Sequence, residues 1–415
     1  MLPSRAILFV LFIIFAITLI IGSLLMLSDL QQQRLQDNLW EQRVLNNLQS
    51  GEAILRSSNS EIEKQTIDLY RNEEDSLTIE KYWWGLFQVG TVEAFKTFAN
   101  KRIEYQKAKL FGSPLKAEQK AALYLKDNNQ PLALAGKTVI KGDVYLPRAG
   151  AKRAYVNGQG FIGTKLFEGK QHQSKRYIPK INETPFLSII NYFINGFPKS
   201  TIQLQDTIRQ SFYNETAIIQ KNIIYLDKQY IQGKVILMAD SLVYISPSCH
   251  LENVVIIAPY ILIDKGFKGQ IQAFASKFIR IGENTTLTYP SIAMVLKTEP
   301  LNYLQENLIL EKKATINGLV GIYQFQKQET PKIPTLIIKE NAIIKGQVYT
   351  NEKVNIKGNI HGNITCAGFR TQAGASIYDN HLFNSIIDKT KQPNNYISPA
   401  FLEKTKVNEE IIKLD

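Results

Sequence analysis

"AIIKGQVYTNEKVNIKGNIHGNI", residues 342–364, consists of short β-branched runs interrupted by the single glycines Gly346, Gly358 and Gly362. β-branched residues favour strands, and a glycine between them permits positive φ and close approach of a neighbouring backbone. A phosphate-binding loop would instead contain several glycines within about six residues, followed by Lys-Ser/Thr. The stretch therefore predicts the turning points of a repeating β scaffold, with coils that tighten towards the C-terminal end.

The same pattern, apolar–Lys/Asn–Gly–x–Val/Ile, recurs elsewhere in the chain. It reads "IKGDV" at 140–144 and "INGLV" at 316–320, which adds Gly142 and Gly318 to the predicted structural corner glycines. Recurrence over the sequence indicates a repeated structural unit and not a single ligand loop.

A second repeat occupies the centre of the chain. "VILMADSLVYISPSCHLEN" (235–253), "VVIIAPYILIDKGFKGQ" (254–270) and "IQAFASKFIRIGENTTLTYP" (271–290) align, and "SIAMVLK" opens a fourth line. Each line begins with a five-residue apolar strand, which ends in Ala239, Ala258 or Ala275 in the first three. Units of this length suit single coils of a β-helix, in which stacking of equivalent strands supplies the core.

These repeats carry a resemblance to a known family. "IKGDVYLP", "IKGQVYT" and "VNIKGNIHGNITCAG" resemble the repeats of bactofilin-type, polymer-forming β-helical proteins. The stretch "DNNQPLALAGKTVIKGDVYLPRAGAKRAYVNGQGFIG" (127–163) is similar to uncharacterised membrane-anchored proteins of the Bacteroidota. The resemblance implies a β-helix fold and self-assembly, and it implies no catalytic activity.

The N-terminus contains a candidate membrane anchor. Ala6–Leu27 carries no charge over 22 positions, a helix of roughly 33 Å that is long enough to cross the hydrocarbon core. A cleaved signal peptide has a shorter apolar region and a small-residue cleavage site. Arg5 precedes the span and Asp29 follows it, so the positive-inside rule predicts a cytoplasmic N-terminus. We expect a single-pass protein of the inner membrane with its bulk in the periplasm.

An amphipathic stalk helix is predicted after the span. Its apolar residues recur in steps of mostly three to five, as expected for one face of a helix, and the helix is expected to end near Ser50-Gly51. These apolar residues are Leu35, Leu39, Trp40, Val44, Leu45 and Leu48. An apolar helix that continues into an amphipathic one weakly resembles the N-terminus of type IV pilin-like minor pseudopilins. The chain departs from that family's processing motif, since Pro3-Ser4-Arg5 stands at the start of the span.

Two aromatic groups are candidate contacts for a ligand or partner. Tyr82, Trp83 and Trp84 lie in a β-rich module, where they could stack on sugar rings or pack against the rest of the protein. Phe186 and Phe193 lie in "TPFLSIINYFINGF" (184–197), an apolar helix too short to span a bilayer. That helix could act as a lid over an open end of the β-helix, or contact a partner or a membrane surface.

Composition limits the classes of function. The net charge of +12 favours anionic partners, but the lysines are scattered without a dense basic block, so nucleic-acid binding is not predicted. Cys249 and Cys366 are expected to be buried thiols, with one disulfide as the alternative. The four histidines have no zinc-binding spacing, and neither a metal nor another cofactor is predicted.

An enzymatic function is not predicted either. The acidic residues of the central repeats do not align into a ladder, and glycoside hydrolysis requires two carboxylates that face one groove. We interpret these acids as solvated corner charges; they are Asp240, Glu252, Asp264 and Glu283. Arg280 is the one arginine in these repeats.

Together these patterns predict a mainly β protein: a transmembrane helix and helical stalk, a small β-rich module, and a right-handed-type β-helix (solenoid) with a helical insertion. The expected segments are an anchor (1–28), a stalk (29–60), a β-rich module (61–130), a β-solenoid (131–169 and 229–375), an insertion (170–228) and a C-terminal tail (376–415). The expected function is a non-enzymatic envelope scaffold that acts through protein partners or self-assembly. The alternatives are a minor component of a pilus-like or secretion machine, and an envelope protein that binds or cleaves polysaccharide.

Overall fold

A computed structural model of the chain describes residues 4–69, 75–98, 101–115, 120–298, 306–325, 335–401 and 409–414. The protein is mainly β, with one long apolar helix at its N-terminus. The chain divides into two units. The first comprises Met1–Ser57, Ile62–Lys81 and Thr91–Lys107, and the second comprises Ser58–Glu61, Tyr82–Gly90 and Ala108–Asp415.

Helix α1 runs without interruption from Ser4 to Ser57. The apolar N-terminal part of α1 is exposed. Among the described residues, α1 is the one helix that is long and apolar enough to cross a membrane, which is compatible with a single-pass anchor. The expected end near Ser50-Gly51 is wrong, because α1 continues to Ser57. Gly51 is instead a contact position, where an added Cβ would lie 2.5 Å from Cγ1 of Val92.

The stalk part of α1 packs on strands of the first unit. These strands are β1 (Ile62–Ile67), β2 (Asp75–Trp84), β3 (Phe87–Phe98) and β4 (Lys101–Gly112), of which β2, β3 and β4 each continue into the second unit. Val44, Leu48 and Leu55 are the buried face of α1, whereas the more N-terminal Leu35 and Leu39 of the predicted apolar stripe are exposed. Residues 92–98 and 101–110 belong to β3 and β4.

The second unit contains most of the strands. Its first strands are β5 (Leu123–Leu125), β6 (Leu132–Ala135), β7 (Val139–Lys141), β8 (Val144–Leu146), β9 (Ala151–Arg153), β10 (Tyr155–Val156), β11 (Gln159–Gly160) and β12 (Gln171–Gln173). Helix α2 (Thr184–Asn195) follows, and then β13 (Thr207–Gln210), β14 (Ala217–Leu226), β15 (Tyr230–Gly233), β16 (Val235–Ile245), β17 (His250–Glu252) and β18 (Val254–Ile263).

The remaining strands extend to the C-terminal region. They are β19 (Lys268–Gly269), β20 (Ile271–Ile281), β21 (Thr286–Lys297), β22 (Leu308–Leu310), β23 (Thr315–Gln324), β24 (Leu336–Ile338), β25 (Ile343–Thr350), β26 (Lys353–Ile356), β27 (Asn359–Cys366), β28 (Gly368–Ala373), β29 (Ser376–Asp379), β30 (His381–Phe383), β31 (Ile386–Asp388) and β32 (Glu409–Lys413). A short 3-10 helix covers Lys389–Lys391.

Equivalent strands of successive repeats pair in parallel. Ile236 pairs with Val255, Val254 with Ile271, and Gln272 with Ile292, so the alignment of the first strand of each repeat is confirmed. The register shifts after this strand, where Leu242 pairs with Tyr260. Ala258 pairs with Ala275, and both are buried. One set of apolar side chains from these strands forms a continuous core that also includes Leu237, Ile256 and Ala273.

Three of the predicted corner glycines form a column. Gly318 pairs with Gly346, and Gly346 with Gly362, and all three have positive φ, as does Gly142. Gly358 differs, because it lies between β26 and β27 and its φ is not positive. At this turn Asn359 comes two positions after Lys357. At the equivalent turn of the preceding coil, Ile343 comes four positions after Lys339. The coil shortens at this turn.

A different set of left-handed turns was not predicted from the sequence. Gly266, Asn284, Lys313 and Asn341 have positive φ at equivalent turns. The backbone N–H of Gly266 donates to Glu283, that of Asn284 to Lys312, and that of Lys313 to Glu340. Three of the four residues are not glycine, so a search for glycines missed them; asparagine is the usual non-glycine residue in this conformation.

The insertion places α2 on the outer face of the strands. Pro185, Phe186 and Ile189 are its buried residues, and they join a second apolar cluster with outward-facing side chains such as Met238 and Ile257. Because α2 contacts β18, in the middle of the stack, it covers a sheet face, which differs from the expected lid over an end.

The C-terminal segment is built into the second unit, unlike the polar tail that was expected. The predicted boundary at 375/376 falls between the paired strands β28 and β29 of one hairpin. The hydroxyl of Tyr396 donates to the carbonyl oxygen of Gly318 at 3.2 Å, and β32 pairs with β4. Residues 402–408 and 415 of the predicted tail lie outside the described residues.

Candidate binding groove

Trp84 is a packing residue of the second unit. Its side chain is 4% exposed, its Nε1 donates to the backbone oxygen of Asn253 at 3.1 Å, and its ring meets the edge of Phe212 at 5.5 Å between centroids. A ring enclosed in this way offers no face to a sugar. Trp83, the neighbouring residue, is half-buried.

Tyr82 is also held by the protein. Its hydroxyl donates to the backbone oxygen of Phe212 at 3.3 Å, and Nζ of Lys234 lies 4.2 Å from the centre of its ring. A cation over an aromatic ring is attracted by the negative face of the π-system. The structure therefore uses the Tyr82 ring internally, whereas Trp83 is half-buried.

The two phenylalanines of α2 have different environments. Phe186 is fully buried and contacts the edge of Phe325, with centroids 6.4 Å apart. Phe193 lies almost two helical turns later, is half-buried, and meets Phe197 at 6.3 Å in an edge-to-face arrangement. Phe193 therefore remains available to a ligand, whereas Phe186 anchors the helix.

Phe193 lines a groove between the end of α2 and the stacked strands, with a volume of about 290 Å³. One wall is aromatic and consists of Tyr192, Phe193 and Phe197. The opposite wall follows the repeat, because Asp240, Pro259 and Ser276 each come directly after the aligned alanines, and Lys277 and Thr298 complete it.

The groove combines flat rings with a few polar groups, the usual composition of a small-molecule site. Oδ2 of Asp240 accepts a hydrogen bond from Nε2 of Gln220 at 2.8 Å, which fixes the carboxylate at the rim. Asp240 is the one carboxylate among the described lining residues. Glycoside cleavage ordinarily takes two carboxylates, so this arrangement is suited to binding.

A second cavity, also of about 290 Å³, collects charged residues that the sequence treated as separate corner charges. Asp264, Glu283 and Arg280 line it together with Glu311, which was not singled out from the sequence. Although burial raises the pKa of Glu311, the hydrogen bonds and charges of Lys339 and Arg280 lower it overall. The hydroxyl of Tyr244 donates to Oδ2 of Asp264 at 2.9 Å, which raises the pKa of Tyr244.

Glu252, the remaining acid of the sequence analysis, lies outside both cavities and forms a loose ion pair with His250 at 3.6 Å. Cys249 and Cys366 are free and buried. Within the described part of the chain, no cluster of three or more His, Cys, Asp or Glu side chains could hold a metal ion.

Comparison of the chain with protein-family models, with curated proteins and with solved structures found no match. The assignment of a function therefore depends on the geometry described above.

Proposed function

We propose that this chain is a non-enzymatic, membrane-anchored scaffold of the bacterial cell envelope, which presents a β-solenoid to protein partners or to further copies of itself outside the cytoplasm. The observation that carries the proposal is the parallel register from β14 to β27, in which equivalent strands follow one another turn by turn. A regular stack of this kind offers an extended, rigid surface for protein contacts.

Helix α1 supports the membrane part of the proposal. Its apolar segment is exposed along its whole length, and exposed apolar surface of that size is unfavourable in water. The charge difference between Arg5 and Asp29 supports an orientation with the N-terminus in the cytoplasm.

The test is crosslinking of the full-length protein in its native membrane, followed by detergent solubilisation and mass spectrometry of the covalent products. The scaffold proposal predicts products that contain a second copy or a constant envelope partner. A strictly monomeric protein without crosslinked partners would overturn it. Protease treatment of intact spheroplasts tests orientation, because the second unit should be accessible from outside.

A second candidate function is binding of a neutral saccharide in the groove lined by Phe193. The juxtaposition of Tyr192, Phe193 and Phe197 with Asp240 and Ser276 favours it, because aromatic faces contact the C–H faces of sugars while hydroxyl and carboxylate groups bind their hydroxyls. Phe193→Ala should weaken binding of a neutral oligosaccharide, whereas Ile194→Ala, an exposed neighbour on the same helix, should not. Equal binding by both variants would contradict this function.

A further inference from the structure

A cavity of about 470 Å³ lies in the second unit beside the hairpin formed by β28 and β29. Its floor comes from outward-facing side chains of β24 and β26, namely Ile337 and Asn355. Lysines at the turns form one side, and hairpin residues, including Arg370 and Ile377, form the other. The cavity is separate from the groove lined by Phe193.

Four cations and two carboxylates line this cavity; they are Lys312, Lys339, Lys357 and Arg370, and Glu306 and Glu340. Several of these residues belong to ion-pair groups that extend beyond the cavity. Glu340 is shared by Lys312 and Lys357, each at 3.5 Å. Glu311 is likewise shared, with Arg280 at 3.0 Å and Lys339 at 2.8 Å. Asp379, on the hairpin, is shared by Arg370 at 2.6 Å and Lys353 at 3.1 Å. Each group thus has two cations for one carboxylate.

The Lys312–Glu340–Lys357 group is the most open of the three. Both of its lysines are about half exposed, and their long ion-pair distances leave ammonium protons free for a second acceptor. Burial raises the pKa of Glu340, but its own backbone N–H and the two lysines lower it overall, so the carboxylate is ionised and the group keeps one surplus positive charge.

Asn355 provides an independent sign of a missing partner. Its side chain is 6% exposed and lines the cavity, and its Oδ1 accepts no hydrogen bond. A buried amide oxygen without a donor costs free energy, which a hydroxyl or N–H group of a ligand would recover. Beside it, Ile337 forms an apolar floor, and Ile377 on the hairpin is 58% exposed.

We propose that this cavity binds a carboxylated saccharide chain. The ligand's carboxylate lies between Lys312 and Lys357, and the C–H faces of the sugar contact Ile337 and Ile377. A ligand hydroxyl donates to Oδ1 of Asn355 after this buried amide oxygen turns towards the cavity. This ligand class satisfies all three features together. A free phosphate would use the lysines but not the apolar floor, and a neutral saccharide would leave the surplus charge unmatched.

The site is confined to the end of the stack beside the hairpin. Ile337 and Asn355 pair in register and both line the cavity, whereas Arg280, farther along the outer face, lies in the second cavity with Asp264, Glu283 and Glu311. The acidic residues of the second cavity make it unsuited to a carboxylated ligand. This inference is independent of the scaffold proposal, which requires protein contacts only.

The experiment is a calorimetric titration of the full-length protein in neutral detergent with oligogalacturonate. Lys312→Gln/Lys357→Gln should lower the affinity by at least about tenfold, and Asn355→Ala should also weaken binding, because each removes contacts to the ligand. The matched control is Lys137→Gln/Lys152→Gln, which removes the same charge from exposed positions elsewhere in the second unit. Lys357→Arg, which keeps the charge, should retain binding. Circular dichroism and a thermal unfolding midpoint equal to those of the wild-type protein show that loss of binding in the double variant is not a folding defect.

Three results would overturn the proposal. The first is no binding of oligogalacturonate, or equal affinity in the wild-type protein and the Lys312→Gln/Lys357→Gln variant. The second is equal binding of a neutral maltooligosaccharide. The third is displacement by inorganic phosphate at equimolar concentration, which would identify a general anion site. Failure of these titrations would leave the crosslinking result for the scaffold proposal unaffected.

Discussion

Gly362 lies directly beside Gly346 in the parallel register, and a Cβ on Gly362 would overlap the carbonyl oxygen of Gly346. The same relationship holds one turn earlier, where a Cβ on Gly346 would overlap the carbonyl oxygen of Gly318. Successive backbones therefore approach so closely along this column that no side chain fits between them.

Gly362→Ala should destabilise the second unit by about 2 to 4 kcal/mol, because alanine meets both a left-handed backbone and a neighbouring carbonyl. Denaturant unfolding of the detergent-solubilised protein measures the change. The control is Gly158→Ala, where φ is also positive but the space around the Cβ is open. This variant should lose only about 1 kcal/mol, the cost of a left-handed backbone at alanine without a steric clash. Equal losses in both variants would show that the column is not tightly packed.

Trp84→Ala should cost about 3 to 5 kcal/mol in the free energy of unfolding, because it empties a buried site and removes the hydrogen bond to Asn253. Trp83→Ala should cost less, about 1 to 2 kcal/mol, since Trp83 is half-buried. Thermal unfolding followed by tryptophan fluorescence compares the two variants. A larger loss for Trp83→Ala would contradict this assignment of roles.

Lys81 should make the stability of the first unit depend on pH in the alkaline range. Its Nζ donates to the backbone oxygen of Leu55 at 2.8 Å, and burial lowers its pKa from 10.5 to about 8. Between these values the unfolded chain holds a proton that the folded chain has released, so rising pH favours the folded state. Below pH 8 both states are protonated, and this contribution no longer changes.

The measurement is the free energy of unfolding of wild-type protein and of Lys81→Met from pH 7 to pH 10.5. The difference between the two should shift in favour of the wild-type protein as pH rises above about 8. A difference that stays constant over this interval would show that Lys81 is protonated to the same extent in both states.

Lys297 and Glu352 form a buried ion pair at 2.7 Å, with side chains 7% and 2% exposed. Lys297→Met should destabilise the protein by about 3 to 5 kcal/mol, because Glu352 then lacks its cation in an environment with little water. Lys297→Met/Glu352→Leu should recover to within about 1 kcal/mol of the wild-type protein. Urea unfolding of the three proteins tests the pair, and a double variant as unstable as the single one would refute the explanation.

The sequence predicted the repeat register because inward apolar residues and alanines recur at equivalent positions. Ala258 and Ala275, aligned by sequence, pair in the structure. The left-handed turns at Asn284, Lys313 and Asn341 were missed, since none is a glycine. The backbone N–H groups of Asn284 and Lys313 also donate to the next turn, a contact that the sequence does not reveal.

The ion-pair groups around the cavity beside the hairpin were not predicted, because their residues come from turns that are separated by variable lengths of chain. Glu311 and Lys339 are 28 positions apart in sequence but 2.8 Å apart in space. For the aromatic candidates, the residues were predicted but their roles were not. Tyr82, Trp84 and Phe186 are identifiable from sequence as large apolar side chains, but burial alone separates packing residues from exposed ones, and only the fold determines burial.

The uninterrupted helix α1 has a mechanical consequence. Leu27, the last residue of the apolar segment, precedes the first buried stalk residue, Val44, by 17 positions, which corresponds to about 25 Å of helix. This intervening length has neither proline nor glycine, so it has no built-in hinge. If α1 is the proposed membrane anchor, this stretch is a stiff spacer that keeps Val44 about 25 Å along the helix from the end of the apolar segment.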